Sequence, residues 1–274
     1  MRATLNYPWG MPFATGILGA QTPVGSGRRV RPNIAISLIL MGLALVVSLS
    51  LRAAEEHDFV AEAETAYRAA QAVYATNQSA QSALDLARTA FDYADLAPND
   101  TIRETIANNG ITAARSVISS NTNSAPAHYY LALDIGQVAR TKMLGALRLL
   151  TEMERELKTV IQLDPKFDYA GAYRTLGVLY LEAPGWPTSV GSKTKARANL
   201  EKALELAPEF PDNHLSYMEA LVKWRDWKTL TEKLSEYQAM VPAAKQKFTG
   251  FDWNYEWHDW AKREQAIQSK LQKH

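Results

Sequence analysis

The chain has 274 residues, 47% of them hydrophobic and 22% charged, which is enough apolar content to bury a core and too much for a disordered protein. Five of its 30 basic residues (Arg2, Arg28, Arg29, Arg31 and Arg52) lie in the first 53 positions; the rest carries 25 basic against 29 acidic residues, which excludes the basic footprint of a nucleic-acid binder. With no cysteine, disulfides, thiol catalysis and thiolate metal sites are excluded together.

Residues 1–33 are rich in Pro, Gly and Thr and show no helical period; they read as a tail, or as sequence upstream of a start at Val30. From Ile34 to Leu51 the chain is apolar, preceded by "GRRVRP" and followed by "RAAEEHD". Basic flank, apolar stretch and small residues in that order make 34–54 a secretory signal, with cleavage near Ala53 or Ala54 and a mature start near Glu55. The alternative is an inner-membrane anchor over residues 34–51, since 18 residues just span a bilayer. The expected location is the periplasm or cell envelope, with membrane contact only through this segment.

Beyond His57 the pattern is amphipathic and helical throughout, broken by Pro, Asn and Gly, and no segment alternates as a strand does. The class is all-α. Phe59–Tyr74, Ser79–Leu96 and Thr101–Ser119 read as the first three helices, with Ser79 and Asp100 as N-caps. A fourth opens at Pro126. From there three helix pairs follow one template, each ending on a proline: Pro165, Pro208 and Pro242. In the first pair His128, Leu131, Ala132 and Ile135 face Met153, Leu157 and Val160. In the second, Tyr173, Leu176, Gly177 and Tyr180 face Ala196, Leu200 and Ala203, with an insert around "EAPGWPTSVGSK". The third, from His214, puts the bulky Met218, Leu230 and Tyr237 where the second has small residues. Small residues at the crossing let backbones approach, and large ones fill the neighbouring holes. After Pro242, Trp253, Trp257 and Trp260 fall on one helical face, extended by Ile267 and Leu271, while Lys262, Arg263, Lys270 and Lys273 are expected to face water or the helix end.

Over residues 79–244 this template resembles the tetratricopeptide repeat. The stretches "AHYYLALDIGQVAR", "GAYRTLGVLY" and "APGWPTSVGSKTKARANLEKALELAP" are similar to bacterial exported repeat proteins of the TRAP transporter T-component group. Where that group carries Gly-Gly-Asp before the second helix, this chain reads Val190-Gly191-Ser192. The resemblance implies antiparallel helix pairs stacked as a right-handed solenoid over residues 55–244, an aromatic capping helix over 245–274, and a scaffold that holds a protein partner. A solute-binding protein is the expected partner; a transport accessory that handles a small apolar ligand is the alternative.

In such a solenoid the first helix of each pair lines the concave groove. The residues one place past the template aromatic then point into it: Tyr129, Arg174 and Leu215, with Leu133, Val178 and Glu219 a turn later. The expected groove is apolar with one cation, suited to an extended peptide or an apolar ligand. Trp186, between Pro184-Gly185 and Pro187, is either a contact anchor or a cover over the open end of its pair. The five histidines show no metal spacing, and no glycine-rich phosphate loop follows a strand, so no enzyme, metal or cofactor is expected.

Overall fold

The computed structural model describes residues 58–142 and 145–274. The tail over 1–33 and the signal or anchor over 34–54 lie outside the described residues. So does His57.

Among the described residues the fold is all-α: ten α-helices, one 3-10 turn at Phe251–Trp253 and no strand. α1 (Phe59–Thr76), α2 (Ala80–Asp95) and α3 (Asp100–Ser120) match the first three expected segments. They are followed by α4 (Ala125–Arg140), α5 (Ala146–Leu163), α6 (Phe167–Glu182), α7 (Lys193–Leu206), α8 (Pro211–Trp224), α9 (Trp227–Lys247) and α10 (Asn254–Leu271). Residues 59–274 belong to one compact unit. Each helix packs on its successor as far as α9, and α2 on α4, α4 on α6, α6 on α8 and α8 on α10, which is the pattern of a helical solenoid.

The boundaries follow from local chemistry. Ser79, Asn99, Ser124, Ser192 and Asp226 each cap a helix, their side chains accepting the backbone N–H three residues on. Asn99 and not Asp100 caps α3; Asp100 is one residue inside and pairs with Arg103. Pro165 and Pro208 stand just past the ends of α5 and α7, where a missing N–H costs nothing. Pro242, expected to end its helix, lies inside α9, which runs on so that Ala244 and Phe248 reach the core. The expected boundary at residue 245 therefore falls within a helix.

The template positions form the core: Leu131, Ala132, Ile135, Met153, Leu157 and Val160 are buried, as are Leu176, Tyr180, Ala196, Leu200 and Ala203. His128 belongs here too, with Nδ1 2.6 Å from Glu156 Oε2 and Nε2 2.9 Å from the Thr122 carbonyl. Gly177 sets the α6–α7 approach, since a Cβ there would fall 2.5 Å from Leu200 Cγ. Gly177→Leu is expected to cost about 1–3 kcal/mol by overpacking. Gly185→Leu, in an exposed loop where a Cβ would come no nearer than 3.9 Å to the Gly191 carbonyl oxygen, is expected to cost little. Equal melting shifts in the two variants count against this register. A side chain at Gly110 is expected to be costly as well, because its Cβ would meet Asp134 Oδ2 at 2.2 Å.

The insert between α6 and α7 is pinned at its base: Gly191 N–H donates to the Pro184 carbonyl at 2.9 Å and Ser192 N–H to that of Tyr180 at 2.9 Å. Its tip holds Trp186 88% exposed, so this indole covers nothing. At the far end α10 lays Trp260 and Ile267 against α8 and caps the stack.

Candidate functional site

The backbone departs from its usual regions where α6 begins. Asp168 (φ 50°), Tyr169 (φ 54°) and Ala170 (φ 61°) are three successive non-glycine residues in the left-handed region. At about 1–2 kcal/mol per residue, this turn is costly and needs outside support. The support is specific. Tyr129 Oη donates to Asp168 Oδ2 at 2.7 Å and Arg174 Nη2 to the same oxygen at 3.1 Å. The Tyr169 ring stacks on Phe210 at 4.5 Å, its carbonyl accepts from Asn213 Nδ2 at 3.0 Å, and Phe248 meets it edge-on. Gly171 closes the turn because a Cβ would lie 2.4 Å from Tyr129 Oη.

The turn forms one side of a cavity of about 350 Å³ lined by Tyr130, Lys166, Phe167, Asp168 and Tyr169. Tyr130 and Phe167 stand nearly perpendicular, 6.4 Å apart. The cavity offers aromatic walls, a carboxylate held from behind, and the exposed ammonium of Lys166.

Behind the turn runs a buried chain of charges. Arg174, fully buried, reaches Asp168, Asn213 Oδ1 at 3.0 Å and Asp212 Oδ2 at 3.0 Å, with its guanidinium over the Phe210 ring. Arg263 of α10 then donates to Asp212 Oδ1 at 2.6 Å and clasps both oxygens of Glu219. Burial pushes the Asp212 carboxyl up, but Arg263 and Arg174 outweigh it and hold it below the usual value. Burial, then the Asp168 charge, puts the Tyr129 phenol well above its ordinary value, so it stays a donor.

One repeat earlier the same face is acidic. Asp95 of α2 accepts from Gln137 and Arg140 of α4. Asp134 of α4 is fully buried with no donor on either oxygen, and its carboxyl lies over Gly110, beside the place where that residue's Cβ would meet Ala90. Burial, then Asp92, raises Asp134 well above the carboxylate range; burial, opposed by Arg88, brings Asp92 to about 7. The unfolded chain releases these protons near pH 4 and the folded one keeps them, so their contribution is complete below about pH 4 and is lost as pH rises, for Asp92 through about 7. Thermal unfolding is expected to show stability falling between pH 4 and 7, with a flatter slope in Asp92→Asn and Asp134→Asn. Identical slopes in wild type and both variants disprove this.

Of the residues expected to line the groove, Tyr129 and Arg174 converge on Asp168, and Val178 and Leu215 share one core cluster. Tyr129, Leu133, Arg174, Val178 and Leu215 are all buried. Glu219 is taken by Arg263, and Trp186 stands apart on the insert. The expected lone groove cation is thus a neutralised core group, because Asp168 and Asp212 flank it. Asp168, Tyr130, Phe167 and Gly171 were missed; the one available signal was the run "KFDYAG", aromatic and closed by glycine. Among the described residues no group of three His, Asp or Glu is placed to hold a metal ion, and no helix is long and apolar enough to cross a membrane. No protein-family model matches this chain, and no curated protein matches it.

Proposed function

We propose that this protein is an exported binding scaffold of the tetratricopeptide type, which holds a protein partner at the aromatic cavity beside the start of α6. The observation that carries the reading is the left-handed turn of Asp168–Ala170: local strain held by long-range contacts, beside an aromatic cavity, is how ligand clamps are built. The burial of the template residues in successive pairs supports the repeat type. The segment over residues 34–54 supports export, and N-terminal sequencing of the cellular protein tests it, since an intact N-terminus recovered with membranes means an anchor.

The cavity volume favours one second reading, a small apolar ligand handled for a solute-binding protein, because about 350 Å³ is within the range of small-molecule sites. Affinity capture from the envelope with wild type and with Tyr130→Ala/Phe167→Ala separates the two. A protein retained by wild type and lost by the variant at unchanged melting temperature supports the scaffold. A small molecule carried by wild type alone in native mass spectrometry supports the accessory. Identical capture by both chains, with no bound molecule, defeats both.

A further inference from the structure

We propose that the protein rests on an anionic membrane surface through the rim built from the turns inside its helix pairs, with Trp186 entering the headgroup layer and the cations around it facing the lipid phosphates. The proposal takes only export from the reading above and is independent of what the cavity binds. At this rim each pair turns back on itself, at 140–148 between α4 and α5, 182–195 between α6 and α7, and 223–228 between α8 and α9. These three turns hold eight Lys or Arg against two acids. The turns that join one pair to the next lie at the opposite rim, where 164–168 and 205–212 hold one lysine against five acids. The α2–α3 turn brings acids to the basic rim, but Asp95, Asp100 and Glu104 are taken by Arg140, Arg103 and Lys142.

The cations left over point outward. Glu182 pairs with Lys223 at 2.7 Å and Asp226 with Arg197 at 3.5 Å. Arg148, Lys193, Lys195, Arg225 and Lys228 are exposed, and none of them forms an ion pair among the described residues. Lys193 stands over the Trp224 ring at 5.4 Å and Lys195 over that of Tyr180 at 5.1 Å, which holds both ammoniums at the base of the α6–α7 insert. Lys223 donates to the Leu181 carbonyl at 3.2 Å, so the α8–α9 turn and the insert form one surface. The insert is uncharged over 183–192, every residue of 184–189 is exposed, and its tip is Trp186. Leu147 adds a second exposed apolar side chain beside the α4–α5 turn. An indole left in water gains by burial, and the headgroup layer accepts both its ring and its N–H. An uncharged loop enters that layer without stripping water from a charge, while the Lys and Arg beside it meet anionic phosphates. A nucleic acid also attracts cations, but it gives no apolar layer to Leu147 and does not fit an exported chain. Docked in this way, the protein turns the Asp168 cavity, which lies at the opposite rim, away from the bilayer.

The chain has no cysteine, so one introduced Cys reports one place. Thr188→Cys, two residues from Trp186, and Asn123→Cys, in the turn between α3 and α4 at the opposite rim, are each labelled in the full chain with an environment-sensitive dye. Each is mixed with vesicles of phosphatidylcholine alone or with phosphatidylglycerol added. The expected result is a blue shift at position 188 with the anionic vesicles, an apparent affinity at least tenfold lower for the neutral ones, reversal by salt, and no shift at position 123. Trp186→Ala and the double variant Lys193→Gln/Lys195→Gln, at unchanged melting temperature, are expected to weaken the response at 188 at least tenfold. Equal shifts at the two positions, equal response to the two vesicles, or folded variants that respond as the parent overturn the proposal; insertion of residues 34–51 alone gives the first two. A shift with duplex DNA and with neither vesicle also overturns it and makes the rim a general polyanion site. If position 188 stays unshifted while partner capture still depends on Tyr130 and Phe167, this inference falls and the scaffold reading stands.

Discussion

Arg174→Met is expected to destabilise the protein by about 3–5 kcal/mol in urea unfolding, a large share of a total of about 5–15. Methionine fills much of the arginine's volume, so the loss is electrostatic. Asp168 keeps Tyr129 and Asp212 keeps Arg263, but each loses a fully buried guanidinium. The left-handed turn loses a tie at the same time, so the cavity residues are expected to become protease-sensitive before the rest of the chain. Asp168→Asn in the Arg174→Met background is expected to recover part of the loss, because it removes the charge left uncompensated. A loss under about 1 kcal/mol would mean that the network is not holding the turn.

The helices were legible because their signals are local. Ser79 caps α2 and Pro126 sits in the first turn of α4, as a polar cap and a residue without an N–H should. Leu131, Ile135, Leu157 and Val160 repeat at the helical period and are buried as that period requires. Gly177 was legible too, since a small residue facing Leu200 is what close helix crossing needs.

The left-handed turn was not legible because nothing in Asp168-Tyr169-Ala170 demands it. Its support comes from Tyr129, Phe210 and Asn213, some 40 residues away in sequence. The groove residues were misplaced for a related reason. Stacking α4, α6 and α8 buries the side chains that a template assigns to an open surface, and Arg174 finds two acids there. Arg263 was expected to face water; its neighbours Asp212, Ser216 and Glu219 lie on α8, more than 40 residues earlier, and pull it inside. Charge at a helical position says how costly burial is, and only the tertiary partner says whether it happens.

Removal of residues 251–274 is expected to abolish cooperative unfolding. Trp260 is the largest fully buried side chain; its ring lies 5.5 Å from Phe210 and 6.3 Å from Phe248, and Trp257 Nε1 donates to the Phe248 carbonyl at 2.7 Å. Loss of an indole from such a site alone costs about 3–5 kcal/mol. Truncation also strips Arg263 from Asp212 and Glu219, leaving two acids on α8 with one buried cation, Arg174, near the first. The combined loss reaches the total stability of a typical domain. It also reaches the candidate site, because Phe210 and Phe248 are the rings against which Tyr169 is held. The single variant Trp260→Ala is expected to retain a cooperative transition at a lower temperature, and calorimetry on both chains makes the comparison. If the truncated chain melts cooperatively at the wild-type temperature and loses only its partner, the tryptophan face is a binding surface and α10 is not a cap.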